Sequence, residues 1–295
     1  HSPAALAAVE QRARQWERRG APAVILDRKA LAALLGSEAY LGGWLDRRGG
    51  GIQPLSYARG LAAAAADRGA RIYTRSPALR VRREGNGWRV ETPAGAVTAD
   101  TIVIPTNAYT DDLWPGLRQS VVPVFSLQIA TDPLPEALRR SILPEGQVAS
   151  DTLRLLRYFR IDGAGRFVLG ARGPFREEVT LDHAGEQIRH VRRLFPQLEG
   201  VRFTYVWTGR VAMTADHLPH LHVLAPGAFT ALGYNGRGVA LTTTMGRLLA
   251  ALASGTPAEA IDFPVTALRS LPLHAFNRLG VRLLTQYYRL RDRFG

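Results

Sequence analysis

Residues 233–240, "GYNGRGVA", set Gly233, Gly236 and Gly238 between a short apolar run, "AFTAL" (228–232), and a segment that reads as helix. Backbone N–H groups at a helix start lack intrahelical partners and sit at the positive end of the dipole. Such a loop suits a phosphate or an anion that develops during a reaction. Its spacing is G-x-x-G-x-G. That is not the dinucleotide fingerprint, because no acidic residue follows at the distance needed to hold a ribose, and the Lys-Ser/Thr of a P-loop is absent. From spacing alone, a tight turn that permits close packing accounts for the loop equally well.

Other reactive side chains are weaker candidates. "HLPHLH" (217–222) gathers His217, His220 and His222, but Pro219 interrupts it and no helical i, i+4 pair is present, so a metal site is not expected. Asp111 and Asp112 are adjacent after "NAYT", where they read as the first turn of a helix rather than as paired catalytic carboxylates. Tyr205 and Trp207 alternate on one predicted strand, as core residues do, and precede Gly209 and Arg210 where the chain leaves a sheet. A strand end at a domain junction is also a common ligand position. No Ser-His-Asp order and no G-x-S-x-G elbow stands out.

The elements that must position these residues follow from periodicity. Residues 4–19 read as an amphipathic helix, 23–26 as a strand, and 27–36 as a helix capped by Asp27 and stopped by Gly36. Residues 40–56, dense in Gly, read as a loop with short extended pieces. A helix from Pro54 through the Ala run 62–66 ends at Gly69, and 70–76 is expected to be a strand, an order that suggests a parallel α/β layer. Residues 79–105 form a meander with turns at "EGNG" and "TPAG", closing on "TIVI" (101–104), expected as a strand buried on both faces. Strands are expected at 121–131, 153–161, 166–172 and 201–209, with one helix at 184–195 whose Ile188, Val191, Leu194 and Phe195 form its apolar stripe. That block is an antiparallel sheet with a helix on it. The last helix, before Ser254, carries Met245, Leu248, Leu249 and Leu252 on one stripe.

The 295 residues suffice for one large domain or two ordinary ones, and no apolar run approaches the length of a membrane span. The net charge of +13 comes almost wholly from scattered arginines interleaved with acids, so nucleic-acid binding ranks below a solvated Arg-rich surface. Cysteine is absent, which excludes disulfides and zinc-thiolate sites and fits a cytoplasmic protein.

Four segments, in series, resemble the FAD-dependent oxidoreductases of the D-amino-acid oxidase family: "GGGIQPLSYARGLAAAAADRGARIYTRSPALRV", "VTADTIVIPTNAYTDDLWP", "FPQLEGVRFTYVWTGRVAMTADHLP" and "ALGYNGRGVALTTTMGRLLAALASG". "NAYT", "YVWTG" and "YYRLRDRFG" are similar to the γ-glutamylputrescine oxidoreductase branch. The resemblance implies an α/β (α+β) fold: an incomplete Rossmann-like FAD domain with an inserted antiparallel substrate domain. It implies a helical linker region at 1–49, FAD-domain parts at 50–117 and 213–260, the substrate domain at 118–212, and a helical tail at 261–295.

The implied chemistry is oxidation of an amine C–N bond by hydride transfer to FAD, the imine then hydrolysing. Oxygen or another acceptor would reoxidise the flavin, and neither a metal nor a nucleic-acid partner is implied. A cysteinyl flavin link is impossible in this chain. By resemblance, Gly50, Gly51 and Pro54 would lie by the flavin, Ala78 by the adenine, and Thr106, Asn107 and Ala108 by the ribose-pyrophosphate. Gly233, Tyr234, Asn235, Gly236, Arg237, Gly238 and Val239 would line the ring's carbonyl edge. Tyr234, Arg237 and Arg210 are the catalytic candidates, and Tyr40, Trp207 and Val211 the substrate-binding ones. Two departures stand out. The family's G-x-G-x-x-G unit does not occur, so a truncated form with weak FAD binding is expected, either inactive alone or completed by a partner. The carboxylate-gripping Arg of the amino-acid oxidases is replaced by Val211, with Arg210 one residue early and so on the opposite face of the strand. A simple α-amino acid is therefore not expected to be held in the usual way.

Overall fold

A computed structural model describes residues 1–294. The elements follow in chain order: α1 (Pro3–Glu17), β1 (Ala23–Asp27), α2 (Arg28–Leu35), β2 (Gly42–Asp46), α3 (Pro54–Ala66), β3 (Arg80–Glu84), β4 (Gly87–Thr92), β5 (Gly95–Ala99) and β6 (Ile102–Val103). Then come β7 (Val122–Pro133), α4 (Glu136–Ser141), β8 (Ala149–Ser150), β9 (Tyr158–Ile161), β10 (Arg166–Arg172), α5 (Gly185–Leu194), β11 (Phe203–Met213), β12 (His220–Ala225), β13 (Ala228–Leu232), α6 (Gly238–Ala253) and α7 (Asn277–Phe294). Caps explain several boundaries. The Ser2 hydroxyl accepts from Ala5 N–H at the start of α1, and the Asp27 carboxylate accepts from Ala30 N–H at 2.7 Å at the start of α2. Gly36 ends α2 in the left-handed region, with φ 74°.

The chain divides into two compact units. The first comprises His1–Gln53, Phe125–Gly209 and Gly280–Gly295. It holds a five-stranded sheet of order β11-β7-β10-β9-β8, together with the antiparallel pair β1–β2, which α2 connects. Alternation along β10 sends Phe167, Leu169 and Ala171 into the core, where they meet Leu127, Phe159 and the Val191–Leu194–Phe195 stripe of α5. Phe167 and Phe195 are fully buried and pack edge to face at 5.4 Å. Burying each such side chain stabilises the unit by about 1.5–3 kcal/mol.

The second unit comprises Pro54–Val124 and Arg210–Leu279. β3, β4 and β5 form the expected meander, and Trp88 on β4 donates to Pro226 O at 3.2 Å. A separate three-stranded sheet has the order β12-β13-β6, with β13 antiparallel to β12 and parallel to β6. All five residues of β13 are buried. The predicted stripe Met245, Leu248, Leu249 and Leu252 of α6 packs against Leu221, Phe229 and Ala231 of this sheet.

Several expectations are corrected. Residues 70–76 form no strand: no neighbour offers them a ladder, and Ile72 and Tyr73 are exposed. One of the short extended pieces expected within 40–56 is β2, which β1 supplies with a partner. Pairing within 153–161 starts only at Tyr158, since the Asp151 carboxylate accepts from Leu153 and Arg157 N–H groups and turns the intervening chain. "TIVI" contributes only Ile102 and Val103 as strand, and Val103 is exposed rather than buried on both faces. No helix starts at Asp111. Its carboxylate accepts from Leu113 N–H at 3.0 Å, and Asp112 pairs with Arg118 at 3.0 Å. Tyr205 and Trp207 are exposed, not core. Among the described residues no helix is long and apolar enough to cross a membrane.

Candidate functional site

The glycine loop joins β13 to α6 in the second unit, and side chains from two other segments fix its shape. Gly233 has φ 77°, and a Cβ there would run into the Thr214 methyl. Its N–H donates to Asn107 Oδ1 at 3.0 Å. Asn107 itself sits in the left-handed region, with φ 47°, at the start of a 3-10 turn over Asn107–Tyr109. Asn235, also left-handed with φ 49°, receives Thr214 N–H on Oδ1 at 3.0 Å and donates Nδ2–H to Thr214 Oγ1 at 3.0 Å. Its own N–H donates to Ala212 O at 3.1 Å. Three stretches (106–109, 212–214 and 233–238) are thus bound together.

The amino end of α6 opens from this knot. Arg237 is its cap residue, no side chain caps it, and no acid lies in its first turn. Gly236 has φ 86°, and nothing lies within 4 Å of where a Cβ would be. Gly238 and Val239 begin the helix, and Val239 is exposed. Ala108 is buried in a cluster with Ile104, Leu117 and Leu232, while Thr106 Oγ1 is buried with no hydrogen-bond partner.

The Tyr234 side chain is buried, and its hydroxyl donates to Ala231 O at 3.1 Å. Its ring belongs to the packing of α6 on β13, which leaves the loop's exposed groups to backbone N–H groups and Arg237. Arg210, on β11, donates its N–H to the Tyr109 hydroxyl at 3.1 Å, and its guanidinium lies 5.1 Å from the Tyr109 ring centre. Val211 is the next residue on that strand. Pro54 opens α3, and Ala78 lies just before β3.

The remaining predicted residues lie in the first unit. Gly50 is open on all sides, and Gly51 is tightly packed against Val148 and Arg160. The Arg160 guanidinium donates to Ile52 O, which holds this loop to the sheet. Tyr40 packs against the main core, and its hydroxyl is buried without a partner. Burial first, and then the charge of Asp151, pushes its pKa far above the usual phenol range. Trp207 is exposed on β11, an edge strand. Sequence reasoning missed Thr214 and Tyr109, which hold the loop and Arg210. Tyr109 lay within the quoted "NAYT", but nothing in a short polar run marks the residue that will donate or accept across the chain.

Residues 1–252 match the family described as FAD dependent oxidoreductase, DAO. The chain is 33% identical over 300 residues to gamma-glutamylputrescine oxidoreductase of Escherichia coli, covering 98% of this chain and 68% of that protein. It is 35% identical over 282 residues to the probable oxidoreductase OrdL of Rhizobium meliloti, covering 91% of this chain and 63% of that one. The chain thus spans under two thirds of the length of the OrdL proteins it matches, 62% for that of Haemophilus influenzae. In fold it is similar to the crystal structure of glycine oxidase from Geobacillus kaustophilus, with a TM-score of 0.72 and 24% identity over 86% of this chain and 68% of that one. The chain is a member of the DAO family of FAD-dependent oxidoreductases.

Proposed function

We propose that this chain carries out FAD-dependent oxidation of an amine C–N bond, with a γ-glutamylputrescine-like amine as substrate. The observation that carries the reading is the knot of Asn107, Thr214 and Asn235 beneath the uncapped amino end of α6. The residues fit the cofactor: the Thr106 hydroxyl is buried without a partner, and the start of α6 is free of both a capping side chain and acidic charge. When bound there, FAD would supply the hydride acceptor for oxidation at the carbon beside the amine nitrogen.

In this reading the chain's own groups bind and orient. The N–H groups at Gly238 and Val239, together with Arg237, stabilise negative charge on the cofactor's ring, and their fixed positions make that stabilisation preorganised. Asn107 and Asn235 hold the loop in its left-handed turns. Thr106, Asn107 and Ala108 contact the ribose-pyrophosphate part. Gly50, Gly51, Pro54 and Ala78 complete the cofactor contacts, while Tyr40, Trp207, Arg210 and Val211 belong to the substrate side. Cofactor binding is non-covalent and the location cytoplasmic. Similarity to the E. coli gamma-glutamylputrescine oxidoreductase, and the lack of an Arg at position 211, support the substrate choice.

A second reading, in which another polypeptide completes the FAD site, is favoured by two observations. Among the described residues β6 pairs with β13 only, and α3 buries none of its residues. Both readings are tested by titrating FAD into the purified 295-residue chain and into a form extended upstream. Peroxide and dye-reduction assays with γ-glutamylputrescine, putrescine, sarcosine and glycine follow. Binding and turnover by the extended form alone refutes the second reading. Binding only when a second polypeptide is added supports it, and failure of both forms to bind FAD under either condition refutes the flavin reading.

A further inference from the structure

The face of the five-stranded sheet turned away from the main core carries a group that the reading above leaves unused. Since Phe167, Leu169 and Ala171 of β10 enter the core, Val168, Gly170 and Arg172 face the other way. The register sets Ser126 of β7 opposite Arg172, and sets Gln128 of β7 and Tyr158 of β9 opposite Gly170. Directly opposed residues have Cβ atoms about 5 Å apart. Gly170 leaves its own place empty, and the Tyr158 ring fills it: a Cβ at 170 would run into that ring and into the Gln128 amide. The phenol thereby reaches across β10 to β7. Its oxygen lies 2.6 Å from Ser126 Oγ and accepts from Gln128 Nε2 at 2.6 Å, while Gln128 Nε2 also donates to Ser126 Oγ at 3.0 Å.

Arg172 lies directly across the ladder from Ser126 of this pair. Its guanidinium lies 5.5 Å from the Phe175 ring centre, and Phe175 meets Phe125 edge-on at 5.8 Å. Among the described residues no carboxylate comes within ion-pair distance of it, and Nη2 is buried with no hydrogen-bond partner. Burial alone lowers its pKa to about 10, so it remains charged at neutral pH. A half-buried guanidinium with no counter-charge is unfavourable, and stacking on one aromatic ring offsets only part of that. A planar fork of N–H donors beside hydroxyls is suited to a carboxylate, which accepts two parallel hydrogen bonds.

We propose that Arg172, flanked by the Tyr158–Ser126 hydroxyl pair, binds a substrate carboxylate remote from the oxidised C–N bond, as in an amine carrying a glutamyl group. The identity of the substrate rests on the amine-oxidation reading; the carboxylate site itself does not.

Glutarate serves as a probe that cannot be oxidised, with uncharged glutaramide as control, and binding to the full chain is followed by titration calorimetry. Wild type is expected to bind glutarate and to bind glutaramide far more weakly. Arg172→Gln is expected to weaken glutarate roughly ten- to a hundredfold, the loss of charge-assisted hydrogen bonds. Arg172→Lys, which keeps the charge but not the fork, should fall between them, as should Ser126→Ala. These two milder variants keep the test decisive if the Gln variant fails to fold. No glutarate binding by wild type, equal binding of glutarate and glutaramide, or unchanged affinity in the Arg172 variants overturns the proposal. In turnover, Arg172→Gln should raise KM for γ-glutamylputrescine and leave that for putrescine unchanged. Glutarate binding that depends on Arg172, with no turnover of any amine, refutes the amine-oxidation reading and leaves the site standing. Turnover with no dependence on Arg172 refutes the site alone.

Discussion

Replacing Asn107 separates the two things it does. Its Oδ1 accepts the N–H of buried Gly233 at 3.0 Å, and its backbone occupies the left-handed region at φ 47°. Asn107→Ala removes the acceptor, leaving a buried N–H unsatisfied at about 1–3 kcal/mol. Ala also lacks the short polar side chain that lets Asn tolerate the left-handed region, at about 1–2 kcal/mol. The expected loss is therefore about 2–5 kcal/mol. Asn107→Gly relieves the backbone but not the hydrogen bond, and adds about 0.5–1 kcal/mol of unfolded-chain entropy, so it should fall slightly short of Ala. Asn107→Asp keeps an acceptor, tolerates the left-handed turn, and should stay close to wild type. With a urea m of about 2 kcal/mol per M, a 3 kcal/mol loss moves the midpoint by about 1.5 M. The two units need not unfold together, so hydrogen exchange should locate the loss in peptides covering β13 and the start of α6. Asn107→Ala within about 0.5 kcal/mol of wild type, or Asp as damaging as Ala, would refute the claim that this side chain ties the loop.

Three further expectations follow from the same geometry. Gly233→Ala should cost about 3 kcal/mol by urea titration, because it both strains a residue at φ 77° and displaces Thr214 from its bonds to Leu218 O and Asn235; an unchanged midpoint would contradict this. His190 has its pKa pulled from 6.5 to about 4 by burial first and then by Arg157 and Arg193. Between those values the unfolded chain binds more protons, so its contribution is complete above pH 6.5 and is lost as pH falls towards 4. His190→Leu should flatten the dependence of the unfolding midpoint on pH in that window; His222, whose pKa burial also lowers, acts in the same sense as His190, and Asp151, whose pKa burial raises, acts against it. Asp292→Ala removes the carboxylate that accepts from Arg154 N–H at 3.0 Å and Leu155 N–H at 3.1 Å. Trypsin should then release the α7 segment at least several-fold faster, and an unchanged cleavage rate would show that the tie does not hold the helix.

What the sequence revealed depended on whether the cause was local. The α6 stripe and the meander at 79–105 were legible because apolar spacing and turn residues act within one element. The strand expected at 70–76 failed because ladder pairing needs a neighbour, and composition says nothing about whether one is there. Tyr205 and Trp207 alternate as core residues do, yet they lie exposed on an edge strand. For the candidate site, the glycine loop was visible from spacing, but its supports were not. Thr214 acts across 21 residues to Asn235, and Asn107 across 126 to Gly233. Arg172 was equally hidden: a charged residue closing "RFVLGAR" looks like a solvated strand end until the Tyr158 ring is seen lying over Gly170.

The division into units bears on how the chain is made. The polypeptide passes from one unit to the other four times, at Gln53/Pro54, Val124/Phe125, Gly209/Arg210 and Leu279/Gly280. Neither unit is a contiguous stretch that a ribosome can finish and release to fold. The first lacks its last segment until Gly280–Gly295 has emerged. At about 5–20 residues per second, Arg154 and Leu155 wait on the order of ten seconds or more for the Asp292 carboxylate that accepts from their N–H groups. During that interval the apolar face of the nascent first unit is a natural client for a chaperone, and its yield in a cell should depend on translation speed more than its final stability would suggest.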